Sequence, residues 1–303
     1  MMDDFECPIR EWRLALTDRG PGEVSVLDLG PPDRPVDVVF LHANGFNAQT
    51  YRHILAPLAA NYRVLAYDQR GHGLSSLAAE PRGRRNWFDL RDDLVAFLNA
   101  VDAQGVILAG HSMGATACLL AAEASAPRAG RVVLFDPVIL TPPLVEGPVD
   151  SPMIQAALRR RANFASRQEA VDSYRGRGAF RTWPEEILAD YVATGLRDGA
   201  TGGVTLACTP EWEASNYAAH GHDSWAALRS APMPIDIFAA ETGSTFRRDG
   251  TLDIAAFAPR VRVETVPGST HFLPMERPDL VRAALTTAIQ FRRSALVRTS
   301  DRN

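Results

Sequence analysis

The chain has 303 residues, 46% hydrophobic and 22% charged, which is the composition of an ordinary globular protein and excludes disordered or collagen-like architectures. Its 32 basic residues are all arginine, so no lysine is available as a Schiff base, a general base or a phosphate anchor. Against 36 acidic residues they leave a net charge of −4, without the basic excess of a nucleic-acid binder. Cys7, Cys118 and Cys208 are odd in number and widely spaced, which predicts neither a disulfide framework nor a metal cluster and suits a cytoplasmic protein. The acidic start Met1-Met2-Asp3-Asp4 does not read as a secretory leader, and no run of about 18 apolar residues predicts a membrane span.

In chain order, Arg10–Leu16 and Glu23–Leu29 read as short strands joined by the turn Asp18-Arg19-Gly20-Pro21-Gly22. Val36–Leu41 is apolar and β-branched, as a buried parallel strand should be. Tyr51, Ile54, Leu55 and Leu58 keep helical spacing, and Arg63–Tyr67 is again strand-like. Leu90, Leu94, Phe97, Leu98 and Val101 line one helix face before the strand Val106–Ala109, the helix Ala115–Ala124 and the strand Arg131–Phe135.

From Val138 to Ser230 that rhythm stops, and no strand is predicted there. Helical segments broken by Gly and Pro carry Trp183, Trp212, Trp225, Phe164, Phe180, Tyr174 and Tyr191. Arg159, Arg160 and Arg161 read as a solvated helix face rather than an anion site. Strands resume at Ile235–Ala240 and Val261–Val266, followed by a helix from Pro278 to Arg292 and a polar tail expected to fray. The alternation predicts a doubly wound α/β fold: a mostly parallel, eight-stranded sheet covered on both faces. The expected division is a core of residues 1–137 and 231–303 with an inserted helical cap at 138–230. In such sheets ligands bind beyond the carboxyl ends of the strands, so the residues just after strands matter most.

The sharpest motif is Gly110-His111-Ser112-Met113-Gly114, with a strand before it and a helix after it. A tight strand-to-helix turn leaves no room for side chains at the two glycines and lifts the serine hydroxyl clear of the sheet. The helix N-terminus behind it adds free N–H groups and positive dipole. Of the seven histidines only His271 follows the final strand, through Pro267-Gly268-Ser269-Thr270, and it is the expected base. His111, inside the turn, is assigned to packing. Two backbone donors would hold an oxyanion: the Met113 N–H, next to the nucleophile, and the Asn44 N–H in His42-Ala43-Asn44-Gly45 after Val36–Leu41.

With these motifs the chain resembles the α/β-hydrolase fold superfamily over nearly its whole length. Asp68-Gln69-Arg70-Gly71-His72-Gly73-Leu74-Ser75 is similar to that family's turn after the fourth strand. His42-Ala43-Asn44-Gly45 is similar to its oxyanion loop, with Ala43 where glycine is usual, and His271-Phe272-Leu273-Pro274-Met275-Glu276-Arg277-Pro278 to its histidine loop. The acid departs from the common pattern, because Gly243 stands where the family usually carries aspartate. Some members take the acid from the end of the sixth strand instead, which implies Asp136; Glu241 is the alternative.

The resemblance implies a serine hydrolase that cleaves a carboxylic ester or related acyl bond through an acyl-enzyme, with a small apolar acyl substrate and no metal or organic cofactor. A non-catalytic small-ligand receptor, a C–C hydrolase or an acyltransferase on the same fold stay open as alternatives. The aspartate-elbow dehalogenases and epoxide hydrolases are disfavoured by Ser112, and the lysine-dependent hydroxynitrile lyases by the absence of lysine. The ring-cleavage C–C hydrolases are disfavoured by His111, where they usually carry asparagine.

Overall fold

The computed structural model describes residues 9–140, 151–200, 202–246, 257 and 259–300. The strands are β1 (Ile9–Ala15), β2 (Glu23–Leu29), β3 (Val38–Leu41), β4 (Val64–Tyr67), β5 (Val106–His111), β6 (Ala129–Phe135), β7 (Asn163–Phe164), β8 (Leu196–Asp198), β9 (Val204–Leu206), β10 (Ile235–Ala240) and β11 (Val261–Val266). Eight of them form one sheet in the order β1-β2-β4-β3-β5-β6-β10-β11. The β1/β2 and β2/β4 pairings are antiparallel and every other pairing in that sheet is parallel. This is the expected mostly parallel α/β sheet. β3, β4 and β5 are buried at every position, which explains why they read as unbroken apolar runs rather than as alternating ones.

The helices are α1 (Arg52–Leu55), α2 (Phe88–Ala100), α3 (Met113–Ala121), α4 (Pro152–Leu158), α5 (Arg167–Tyr174), α6 (Glu185–Gly195), α7 (Pro210–Ala218), α8 (Ser224–Ser230), α9 (Leu273–Glu276) and α10 (Pro278–Ser300). One face of the sheet is packed by α2, α3 and α8 through Leu94, Phe97, Leu119, Trp225 and Leu228. The other is packed by α1 and α10 through Ile54, Leu55, Val281, Leu285 and Ile289. None of the described helices is long and apolar enough to cross a membrane.

Two expectations need correction. The stretch between β6 and β10 is not free of strands: β7, β9 and β8 make a small antiparallel sheet. These strands are two or three residues long, too short for period-two alternation to register. The last helix does not stop at Arg292 but runs to Ser300. Its arginines are not idle there. Arg292 donates to the Gly105 carbonyl (2.8 Å), and Arg292 and Arg293 both reach the buried Asp37 carboxylate (2.9 and 3.0 Å), which ties the polar end of the helix to the start of the sheet.

The inserted elements sit on the core through polar anchors as well as apolar ones. Asn47 donates from its side chain to the Tyr191 carbonyl (2.9 Å). Asp190 on α6 meets His53 (2.6 Å) and Arg52 on α1. Trp183, Ile187, Tyr191 and Val192 join the apolar cluster beneath them. α8, by contrast, packs beside α3 in the core's own helical layer.

Candidate active site

β5 is central in the sheet and ends at His111, so the turn that follows projects from the middle of its carboxyl edge. Ser112 there has φ 54° and ψ −120°, a conformation that non-glycine residues adopt at a cost and only when the surroundings enforce it. The enforcement is steric. A Cβ on Gly114 would lie 2.5 Å from the carbonyl oxygens of both Leu41 and His42, and one on Gly110 would lie 2.7 Å from the Ala115 nitrogen. The Ser112 N–H donates to the Phe135 carbonyl (3.0 Å), binding the turn to β6. Ser112 is only 6% exposed, so the hydroxyl raised off the sheet stands under cover rather than open to water.

His271 arrives from the turn after β11. Its Nε2 lies 3.0 Å from Ser112 Oγ, and its Nδ1 donates to Asp136 Oδ2 at 2.6 Å. Asp136 follows β6, is fully buried and also has positive φ, at 42°. Its carboxylate accepts from the Ala240 N–H (2.8 Å), the Ser244 hydroxyl (2.5 Å) and the Thr245 N–H (3.0 Å). Burial alone would raise its pKa. The His271 contact, the Ser244 hydroxyl and the Ala240 N–H outweigh that and hold it below the ordinary carboxylate range.

Glu241, the alternative acid, is exposed and does not point back into the sheet; its carboxylate accepts from the Gly268 N–H (2.9 Å). The loop after β10 thus contributes in a way the sequence did not reveal. Instead of an acid it supplies donors, Ser244 and Thr245, to an acid carried by the neighbouring strand.

The loop after β3 is pinned to the turn after β4 by two buried histidines. The Gln69 N–H donates to His42 Nε2 (3.0 Å), and the Gly45 N–H donates to His72 Nε2 (3.0 Å). An N–H only donates, so both Nε2 atoms are unprotonated and the protons sit on Nδ1, which donate to the carbonyls of Ala43 (2.8 Å) and Arg70 (3.0 Å). Burial pushes His42 down to about 4 and His72 well below its ordinary value, so both remain neutral. The Asn44 side chain is held from the other side, donating to the Glu213 carbonyl (3.0 Å) and accepting from Asn216 Nδ2 (2.8 Å) on α7. Met113 is the first residue of α3, whose leading N–H groups have no partner within the helix.

Beside this loop lies a cavity of about 240 Å³, lined by Phe46, Phe180, Tyr191, Tyr217 and Phe272 among others. Arg160 and Glu213 also line it, paired at 2.8 Å, with Arg160 reaching the Tyr191 hydroxyl as well. The expectation of a solvated arginine face therefore fails at Arg160. It turns inward while Arg159 and Arg161 stay exposed, because Glu213 offers it a buried counter-charge that no local pattern announces. His220 and His222 pack on Trp87, with ring centroids 5.2 and 4.8 Å away.

Residues 38–284 match the alpha/beta hydrolase family, and the chain belongs to that family. Among curated proteins it is similar to a 2-(acetamidomethylene)succinate hydrolase from Mesorhizobium japonicum, at 24% identity over 83% of this chain and 87% of that one. Among solved structures it is similar to E-2-(acetamidomethylene)succinate hydrolase, with a TM-score of 0.76 at 22% identity, covering 93% of this chain and all of that one. A thioesterase domain from the curacin biosynthetic pathway gives 0.72 at 18% identity, over 92% and 99% of the two chains. At these identities the structural likeness speaks for the fold.

Proposed function

We propose that the protein is a serine hydrolase that cleaves a carboxylic ester or related acyl bond through an acyl-enzyme. The observation that carries this reading is the unbroken line from Ser112 Oγ through His271 to Asp136, at 3.0 and 2.6 Å. Ser112 attacks the carbonyl while His271 Nε2 takes its proton. Asp136 keeps the other imidazole proton on Nδ1 and stabilises the imidazolium. The oxyanion accepts from the Met113 and Asn44 N–H groups, a donor role worth roughly 3 kcal/mol each in enzymes where one has been removed. His271 then protonates the leaving group, and water cleaves the ester on Ser112.

An apolar acyl group is the substrate class this reading favours. The cavity wall is largely apolar, its aromatic residues interleaved with Met153, Ala156, Ala157 and Ala179, and the charge of Arg160 is already matched by Glu213. Within residues 138–230 the elements α4 to α7 act as the cap over a core of 1–137 and 231–303, which α8 joins, and a cytoplasmic location with a small-molecule substrate, rather than a membrane or nucleic acid, goes with it. The hydrolase and thioesterase names of its relatives agree with acyl chemistry. Ser112→Ala should abolish both p-nitrophenyl acetate hydrolysis and labelling by a fluorophosphonate while leaving thermal unfolding nearly unchanged. Wild-type turnover in that variant would overturn the mechanism.

A further inference from the structure

His111 and Tyr51 have no part in that mechanism, yet they occupy the space between its parts. His111 is fully buried, next to Ser112 in the chain. Its Nε2 lies 2.7 Å from the backbone carbonyl oxygen of His271. Its Nδ1 lies 2.8 Å from the Tyr51 hydroxyl, which in turn accepts from the Ala43 N–H at 3.1 Å. Tyr51 is itself fully buried, on the turn that opens α1.

The direction of every bond in this chain is forced. A carbonyl only accepts, so Nε2 of His111 carries a proton and donates to His271. Burial presses His111 down to about 3, so the ring is neutral and Nδ1 has no proton. Nδ1 therefore accepts, and the Tyr51 hydroxyl donates to it. Burial pushes the Tyr51 phenol up, which keeps that proton in place. The phenol oxygen then receives the Ala43 N–H. Each group has one role left, and each is filled.

We propose that Tyr51 and His111 are positioning residues, a buried hydrogen-bond strut that sets the oxyanion loop at Ala43 and the backbone of His271 relative to Ser112. The strut rests on the serine-hydrolase reading, because it is the placement of that reading's base and oxyanion donor that it controls. Ala43 immediately precedes Asn44, so the strut fixes the peptide next to one proposed donor. At its other end it holds the main chain of the base, while Asp136 holds the ring. Displacements well below 1 Å at either end matter for a reaction that depends on near-attack geometry.

The test uses three variants of the full chain, Tyr51→Phe, His111→Gln and His111→Ala, assayed with p-nitrophenyl acetate and by the rate of fluorophosphonate labelling. Active-site titration normalises each rate to the folded, reactive fraction. Tyr51→Phe keeps the ring and removes one oxygen, leaving the Ala43 N–H and His111 Nδ1 without their partner. It should lower normalised kcat roughly 10- to 100-fold with KM within about twofold. His111→Ala should fall at least as far, and His111→Gln, which restores an N–H donor, should recover part of the loss. Normalised kcat within about twofold of wild type in either Tyr51→Phe or His111→Ala would overturn the strut, as would a loss in KM alone. Ser112→Ala separates the two readings: if it is dead and Tyr51→Phe is fully active, the strut fails and the nucleophile stands.

Discussion

The loops at the carboxyl edge of the sheet and the segment inserted between β6 and β10 are built on different principles. The edge loops are held by close backbone packing and by short bonds among fully buried groups. Gly114 presses against two carbonyls, Ser112 and Asp136 take strained positive φ, and Asp136 collects two of its hydrogen bonds from main-chain N–H groups. The inserted segment is held by long side chains that reach across it. Arg160 meets Glu213 and Tyr191, and Asp190 meets His53 and Arg52. A site packed and bonded this closely admits few alternatives and suits chemistry with narrow geometric tolerance. A side-chain-held wall can change its lining without moving the reacting atoms, which suits selection among substrates. Variants of the first region should therefore act on kcat, and variants of the second mainly on KM.

The largest effect expected from this contrast is at Asp136. Asp136→Asn keeps the shape but removes the charge and the acceptor that keeps the His271 proton on Nδ1. Its kcat should fall on the order of 10⁴-fold, as in the serine-protease precedent, with little change in KM. Glu241→Gln should stay within about twofold, because among the described residues its carboxylate holds only the Gly268 N–H. Steady-state kinetics on both variants decide this. The reverse ranking would move the acid to the loop after β10 and remove the premise that the edge loops hold the chemistry.

The next effect is on folding. Gly114→Ala places a methyl 2.5 Å from the carbonyl oxygens of Leu41 and His42, which are backbone and cannot swing aside. A loss of about 3 kcal/mol is expected from urea unfolding. Any folded remainder should have an impaired kcat, because the displaced carbonyls belong to the strand and loop that carry Asn44. A variant of wild-type stability and rate would show that the turn yields more easily than its contacts imply.

The same contrast accounts for what could be read from the residues. The central strands β3, β4 and β5 stand out because burial at every position leaves unbroken apolar runs. The turn at Ser112 is legible because steric exclusion demands glycine at fixed offsets. The carboxylate that meets His271 needed elimination: the glycine at 243 and the family's alternative place at the sixth strand pointed to Asp136, and the donors Ser244 and Thr245 left no pattern. His111 read as packing because nothing local reveals that Tyr51 and the His271 carbonyl converge on it. Arg160 was misread because its partner lies 53 residues on, and a run of three arginines looks the same whether or not one turns inward. The short strands of the inserted segment escaped because their length is below any period.

Arg160 offers the corresponding probe of the cavity wall. Arg160→Met strands the Glu213 carboxylate beside the loop after β3, and removing one partner of a largely buried pair costs more than removing both. Stability should drop by about 2 kcal/mol, reduced from the fully buried case by the residual exposure of both side chains. KM for an apolar ester should rise about tenfold while kcat changes less. The double variant Arg160→Met with Glu213→Gln should regain much of the stability. If kcat collapses in Arg160→Met with KM unchanged, the inserted segment takes part in the chemistry and the two regions are not separable.

The effect that is smallest at neutral pH concerns the junction of the two regions, where His222 packs on Trp87 of the core at 4.8 Å between ring centroids. Burial, with help from the neighbouring His220 and Arg84 and against the opposing Asp223, presses His222 down to about 3. In the unfolded chain the same ring titrates near its ordinary value of 6.5. Between those two values the unfolded state binds a proton that the folded state refuses, so stability increases with pH across this window. The contribution is fully present above pH 6.5 and is lost as the pH falls toward 3. One such group supplies a slope of at most about 1.4 kcal/mol per pH unit. His42 and His111, pressed down to about 4 and 3, add slopes of the same sign. Asp68, raised by burial to about 6, opposes them between its unfolded value near 3.8 and 6. His222→Phe preserves an aromatic ring against Trp87 and removes the titration. Urea midpoints measured at pH 7, 6, 5 and 4 should therefore fall less steeply in the variant than in the wild type, with the curves converging toward pH 7. Parallel curves would mean that His222 is free to take up its proton in the folded protein, and that the junction is more open to water than its packing implies.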